Sequence, residues 1–260
     1  MVYWYICGSD LESEGGAASI DISELIEVKL PENVIVIIQT GGARAWQNDF
    51  VNSKYLERYV YDSKGLHLVD QQPLANMGSM KTLSDFFAYA KMNYPADKTA
   101  VIFWNHGGGS VSGAEFDENF GNDSLTIKEM HDAFAANYEL STKKQPFDLI
   151  GFDTCLMATV DVAGTFSDVG KYLVASEETE PSNGWDYTDW ALALGANPAM
   201  ETAEFGKVIC DTYQSGCELV GSYHHDFYWL YRVIHPGESK TAYQKSLMYS
   251  LRIGRGPCVF

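Results

Sequence analysis

The sequence has no long hydrophobic run and few basic residues. No segment of the 260-residue chain approaches the roughly 20 consecutive apolar residues of a membrane-spanning helix, so no membrane span is expected. Lys and Arg total 18 against 35 Asp and Glu, which gives a formal net charge of −17. A nucleic-acid partner is not expected, because phosphate binding needs Lys and Arg to replace counterions. The acidity favours a cationic ligand or metal ion, or serves only to keep the surface solvated.

Paired-cysteine motifs and nucleotide-binding fingerprints are also missing. The five cysteines are widely spaced and odd in number, which excludes a complete disulfide framework and gives no zinc cage. Cys210 and Cys217 lie seven residues apart in a helical pattern, which predicts that both are buried on one face. The run His224-His225-Asp226 has no matching ligand cluster, so no metal site is predicted there. Gly-x-Ser-x-Gly, Walker A and dinucleotide motifs are absent.

Short apolar runs instead alternate with amphipathic stretches of helical length. Most runs are apolar at consecutive positions, which is typical of strands buried on both faces of a parallel sheet. The predicted strands are Val2–Cys7, Asn33–Gln39, Thr99–Asn105, Phe147–Phe152 and Tyr172–Ala175. Their alternation with helices predicts an α/β fold, a three-layer α/β/α sandwich with a mostly parallel central sheet.

Four helices are predicted between and after these strands. They run from Thr82 towards Tyr94, from a cap at Ser124 or Thr126 to Tyr138, from just after Cys155, and over Pro198–Leu219. Glu129 lies three residues after Thr126, which is the spacing of a capping box. No repeat or linker interrupts the chain, so a single domain over residues 1–260 is predicted. The part after about residue 190 carries no motif that we assign, which is consistent with a truncated edge.

Two predicted strands end in residues that carry chemistry. The first runs directly into His106 and the three glycines 107–109, and glycine lets a ligand approach main-chain N–H groups closely. The second ends at Asp153 and is followed by Cys155, where a helix is predicted to begin and to favour the thiolate. Taken alone, each residue is also compatible with a structural role. His106 is then a hydrogen-bonded structural histidine, and Cys155 is a small buried core residue.

The pair is more informative than either residue. His106 and Cys155 are 49 positions apart, and one β-α-β crossover fits between them. Because the carboxyl ends of parallel strands meet at one edge of a sheet, the two side chains are expected to lie close together. A thiol beside an imidazole is the arrangement of a His-assisted nucleophile.

Five stretches along the chain form a wider pattern, and two of them contain this pair. They are Tyr5–Glu12, Gln39–Gly42 with Trp46, Trp104–Gly109, Asp153–Met157, and Ala175–Pro181 leading to Gly184–Tyr187. On these blocks the sequence resembles the clostripain family of cysteine peptidases, relatives of caspases, legumain and gingipain. The resemblance extends from about residue 3 to residue 190 and implies a caspase-like sheet.

The resemblance implies a role for each matching residue. Cys155 is the expected nucleophile, which forms an acyl-enzyme, and His106 is the expected general acid for the leaving amine. The backbone N–H groups of Gly107 and Cys155 are the expected oxyanion-hole donors. These roles describe an endopeptidase that acts on peptides and proteins and cuts after Arg, or Lys.

The preference for a basic residue implies a carboxylate in the S1 pocket, because a guanidinium pairs with a carboxylate through two hydrogen bonds. Asp153 matches the family position, and Asp186 is a second candidate. Ser176 and Glu177 are candidates for the pocket wall. The alternative for all four residues is a structural role, which for Asp153 is loop capping.

The segment between the two motifs departs from the family pattern. No Lys or Arg lies between Gly107 and Ile127, so self-cleavage there is not expected, and the nearest basic candidates are Lys128, Lys143 and Lys144. The acidic stretch 113–123 is a candidate Ca²⁺ ligand set, although it lacks EF-hand spacing and no cofactor is required by the predicted chemistry.

Two other functions stay open, a catalytically silent homologue that binds peptide or glycan and a scaffold whose His106 and Cys155 are merely buried. By resemblance the protein is expected to be secreted by a bacterium or placed in its cell envelope. The first residues read as a strand and not as a signal peptide.

Overall fold

The computed structural model describes residues 1–219, except the side chain of Leu219. Nine strands are present in this part of the chain: β1 Val2–Cys7, β2 Val36–Gly41, β3 Tyr55–Asp62, β4 Gly65–Pro73, β5 Ala100–Trp104, β6 Ala114–Asp117, β7 Asp123–Leu125, β8 Phe147–Asp153 and β9 Gly170–Val174. The helices are α1 Ser9–Ser13, α2 Ala17–Glu27, α3 Met80–Asn93, α4 Gly109–Ser112, α5 Ile127–Asn137, α6 Val160–Thr165, α7 Tyr187–Ala196 and α8 Thr202–Leu219.

Seven strands form one sheet in the order β4-β3-β2-β1-β5-β8-β9. The five strands from β2 to β9 in this order are parallel, as predicted, and they are the five that the sequence indicated. The strands β3 and β4 extend the sheet with antiparallel pairing that the sequence analysis did not predict. The strands β6 and β7 form a separate two-stranded hairpin.

Both faces of the sheet are covered, because successive side chains of each central strand enter opposite hydrophobic layers. In β1, Tyr3 and Tyr5 enter the layer under α3, α5 and α6, while Trp4 and Ile6 enter the layer under α2, α7 and α8. The predicted three-layer α/β/α sandwich with a mostly parallel sheet is therefore confirmed.

The helix predictions hold where hydrophobic periodicity and a cap coincide. Thr126 caps α5 through a capping box with Glu129, and Ser79 caps α3 slightly before the predicted start. Cys210 and Cys217 are both buried on α8, as expected from their spacing. The short helices α1 and α4, and the longer α2 and α7, were not predicted.

Among residues 1–219, none of the helices has both the length and the apolar composition needed to cross a bilayer. The run His224-His225-Asp226 and Cys258 lie outside the described residues. The single-domain assignment for residues 1–260 also reaches beyond them and stays a prediction.

Candidate active site

The strands β5 and β8 bring His106 and Cys155 to the same edge of the sheet. Trp104 and Asp153 are register partners at the carboxyl ends of these neighbouring strands. The N–H of Asn105 continues the pairing by donating to the Asp153 carbonyl at 3.4 Å. His106 and Cys155 follow within two residues of this last rung, so their loops leave the sheet side by side.

Gly107 shows how closely the two loops approach. A Cβ atom at this position would lie 2.1 Å from the carbonyl oxygen of Cys155 and 2.8 Å from the hydroxyl oxygen of Thr154. Both distances are shorter than a Cβ atom tolerates, so only glycine fits without moving the backbone. The glycine after the histidine therefore permits the contact that places the two motifs together.

Cys155 is partly exposed and lies in an irregular segment, not at the start of a helix. The helix predicted just after Cys155 is wrong, because α6 begins at Val160 with Thr159 as its cap. Leu156 adopts a left-handed φ of 65°, and its N–H donates to the carbonyl of Glu178 at 3.0 Å. The helix-dipole argument for this thiol consequently fails, since that effect is confined to the first turn.

The loop after β9 covers the segment that carries the thiol. Its Glu180 N–H donates to Cys155 Sγ at 3.2 Å, and its Ser176 carbonyl accepts the Ala158 N–H at 2.8 Å. The sulfur is therefore a hydrogen-bond acceptor in this arrangement.

Two backbone donors at the junction of the loops have no acceptor within residues 1–219. The N–H groups of Gly107 and Cys155 make no hydrogen bond there, whereas the neighbouring Gly108 N–H donates to the Gly113 carbonyl at 2.7 Å. Unused N–H groups beside a nucleophile are able to receive a developing oxyanion.

Asp153 is the last residue of β8, two residues before Cys155, and is buried. Its Oδ2 atom accepts the Tyr187 hydroxyl at 2.9 Å and the Trp185 N–H at 3.3 Å. Burial raises the pKa of Asp153 to about 6, against the opposing effect of these donors. A carboxylate in this environment favours binding of a positive group.

Asp21 is a second buried carboxylate at this place, and the sequence analysis did not find it. Its Oδ2 atom accepts the Trp104 indole N–H at 2.6 Å, so it is held beside the last residue of β5. A Cβ at Gly184 would lie 3.2 Å from the same oxygen, next to the Trp185 N–H that binds Asp153. Burial raises the pKa of Asp21 well above its ordinary value, and the charge of Asp153 adds to the effect.

No Lys, Arg or His within residues 1–219 forms an ion pair with Asp21 or Asp153. Buried carboxylates are usually paired, because an isolated buried charge is costly. The pair is therefore suited to a positive group supplied from outside.

The other predicted pocket residues have visible local roles. Ser176 is fully buried after β9, and its hydroxyl oxygen accepts the Glu178 N–H at 3.2 Å. Glu177 is partly exposed beside it. Asp186 caps α7 by accepting the Asp189 N–H at 2.7 Å, and burial raises its pKa. Their roles in a substrate pocket stay predictions.

Two carboxylates of the acidic stretch 113–123 have partners within the protein. Asp117 accepts the N–H groups of Met77 and Asn119, and Glu118 pairs with Arg44 at 3.2 Å. Within the described part of the chain, no three His, Cys, Asp or Glu residues are placed to hold a metal. Calcium binding stays a prediction, and no step below depends on it.

His106 itself contacts a residue to which the sequence analysis gave no role in the site. Its Nε2 atom lies 2.9 Å from Oδ1 of Asp10, at the start of α1. Asp10 follows β1, the strand beside β5, and only this adjacency signals its place at the same edge.

The structure is an α/β domain with a mostly parallel sheet and with His106 and Cys155 at one edge, and its family follows from sequence comparison. The sequence model of the clostripain family, Peptidase_C11, matches residues 4–224. The chain therefore belongs to the clostripain family, as the resemblance implied.

Individual relatives are more distant. Clostripain of Hathewaya histolytica is 37% identical over 102 residues, which cover 34% of this chain and 18% of that protein. A secreted C11 cysteine protease from Bacteroides thetaiotaomicron, solved with an irreversible peptide inhibitor, shares 22% identity with a TM-score of 0.63. An inactive zymogen C11 protease from Parabacteroides distasonis shares 18% identity with a TM-score of 0.65.

The structural alignments cover 86% and 90% of this chain but only 59% and 61% of the two solved proteins. The chain thus spans about three fifths of the solved relatives. At these identities the likeness establishes the fold, including the mostly parallel sheet.

Proposed function

We propose that this chain carries the catalytic domain of a cysteine endopeptidase that hydrolyses the peptide bond after a basic residue. The observation that supports the proposal is the close approach of the Gly107 and Cys155 backbones, which are next to or part of the two proposed catalytic residues. Membership of the clostripain family supports the same chemistry. The substrate class is peptides and proteins, and the chain is proposed to act outside a bacterial cell or in its envelope.

The reaction uses the dyad in two stages. The Cys155 thiolate attacks the scissile carbonyl, and the N–H groups of Gly107 and Cys155 hold the resulting oxyanion. The C–N bond then breaks while His106 gives its proton to the departing amine. Water next attacks the thioester, His106 takes the proton of that water, and the acid product leaves with Cys155 restored.

The preference for Arg or Lys is supported by the two buried carboxylates. Asp153 lies two residues before the nucleophile, and Asp21 lies beside it without a basic partner among residues 1–219. A guanidinium or ammonium group that enters the pocket would replace the missing counter-charge. Asp186, Ser176 and Glu177 are proposed only as the outer wall.

Active-site labelling tests the proposal. A ketone inhibitor built on Arg is expected to modify Cys155, with no labelling of Cys155→Ala and much slower labelling of His106→Ala. Burial raises the pKa of Cys7 well above its ordinary value and also raises that of Cys210, so neither thiol is expected to react in the folded protein. Mass spectrometry of the labelled peptides identifies the site.

The same experiment separates the alternatives. A neutral ketone of equal length is the matched probe, and Asp153→Asn is expected to remove the advantage of the Arg probe over it. Labelling of Cys155 without any peptide hydrolysis would favour a silent peptide-binding homologue. Equal labelling of Cys7, Cys155 and Cys210 would reject the dyad altogether.

A further inference from the structure

The contact between His106 and Asp10 is the starting observation. Oδ1 of Asp10 lies 2.9 Å from Nε2 of His106, although the two residues are 96 positions apart. Both side chains are about half exposed, at 43% for His106 and 53% for Asp10. Asp10 is the one hydrogen-bond partner of the imidazole within residues 1–219. The Asp10 carboxylate therefore orients the His106 ring, with Nε2 towards Asp10 and Nδ1 on the opposite side.

The backbone on both sides of this contact is fixed by Asn105, the residue before His106. The buried Asn105 amide group donates to the Cys7 carbonyl and to the Ser9 hydroxyl oxygen, the latter at 3.0 Å. Its oxygen accepts the Phe116 N–H at 2.7 Å. The turn that carries Asp10 is thus bonded directly to the residue that precedes the histidine.

Ser9 adds a strained backbone at the same turn. Its φ is +47°, in the left-handed region that side chains other than Gly, Asn and Asp seldom adopt, and it is buried. Such a conformation costs on the order of 1–3 kcal/mol and persists only where the surroundings enforce it. Here the Asn105 amide group holds the Ser9 hydroxyl, so the strained turn is part of the support for Asp10.

The electrostatics agree with a maintained contact. Partial burial of Asp10 opposes its ionisation, but the hydrogen bond and charge of His106 hold the pKa of Asp10 below its ordinary value. Asp10 is therefore a carboxylate throughout the neutral range and accepts a hydrogen bond from Nε2–H.

We infer that Asp10 is a positioning residue for His106, which accepts the Nε2–H hydrogen bond and leaves Nδ1 to exchange protons with the reacting groups. The inference rests on the proposed peptidase function for its kinetic consequence. The contact itself is independent of turnover. A second pair in the chain has the same geometry, His131 Nε2 to Asp168 Oδ1 at 3.0 Å, and it provides a matched control away from the site.

The test compares Asp10→Ala, Asp10→Asn and Asp168→Ala in the intact chain. Asp10→Ala is expected to lower kcat on the order of tenfold with KM nearly unchanged, because a misdirected general acid loses part of its contribution. Asp10→Asn keeps an oxygen acceptor and should recover part of kcat. Asp168→Ala should leave kcat unchanged.

Proton NMR of the ring N–H groups provides a readout that turnover does not affect. A hydrogen-bonded Nε2–H resonance, assigned by its loss in His106→Gln, is expected to disappear in Asp10→Ala and to persist in Asp168→Ala. The His131 resonance should show the reverse pattern. Thermal unfolding checks that each variant is folded.

The outcomes separate the inference from the proposed function. Persistence of the His106 resonance and of kcat in Asp10→Ala would overturn the inference while leaving the peptidase intact. An inactive wild-type chain whose resonance still depends on Asp10 would reject the proposed function and keep the contact. An equal loss of kcat in Asp168→Ala would also overturn the inference about Asp10, because the loss would then reflect general destabilisation of the protein.

Discussion

Replacing Gly107 by alanine tests the contact on which the site depends. The new Cβ would lie 2.1 Å from the Cys155 carbonyl oxygen, whereas real Cβ atoms stay beyond 3.0 Å, so the two loops must separate by about 0.9 Å. A misplacement of about 1 Å in an active site can reduce the rate on the order of 100-fold. Because the obstacle is backbone, no side-chain rotation relieves it. We expect kcat for an Arg substrate to fall by about that factor.

The assay measures kcat and KM together with labelling of Cys155 by the Arg ketone. The control is Gly195→Ala in α7, where the new Cβ meets only Pro31 at an ordinary 3.7 Å and alanine favours the helix. This control should keep full activity and equal or higher thermal stability. Full activity in a folded Gly107→Ala variant would refute the reasoning, since it would mean that the backbone contact does not set the dyad.

Two predictions concern stability. Burial raises the pKa of Asp153 to about 6, so the folded chain keeps a proton that the unfolded chain loses above the ordinary value of 3.8, and stability falls as the pH rises through this window. The free energy of unfolding of Asp153→Asn, measured with urea, should therefore exceed that of the wild type by up to about 3 kcal/mol at pH 7 and equal it at pH 3. An equal gain at both pH values would contradict the assignment of this pKa to Asp153. Thr126→Ala removes the α5 cap and should cost about 1 kcal/mol at any pH, and an unchanged urea midpoint would show that packing alone fixes this helix end.

The central strands were predictable because they are apolar on both faces. The pair β3 and β4 was missed because β3 carries buried polar residues, including Arg58, whose Nε donates to Gln39 at 2.8 Å. Such residues break the apolar run that identifies a strand, while their partners become visible only in three dimensions. The edge strand β4 is largely exposed and polar, so its pattern is equally weak.

The two proposed reacting groups could be located from the sequence, whereas the residues that contact them could not. His106 and Cys155 stand out because each follows an apolar strand, and parallel topology then brings them together. Asp21 lies on α2, in an amphipathic helix where a polar residue normally indicates a solvent-facing position, yet it is buried. The segment after Cys155 does not form the predicted helix, because its backbone N–H groups donate to carbonyl groups of the loop after β9. Local sequence does not determine these hydrogen bonds between distant segments.

The order of the strands in the sheet, in which neighbours are distant in the sequence, also has a consequence for folding. Contacts at the site join positions 34, 83 and 98 residues apart, which close only after β1, β5, β8 and the start of α7 have all docked. A chain in which these elements have not yet docked therefore holds the Cys155 thiol and the His106 imidazole apart.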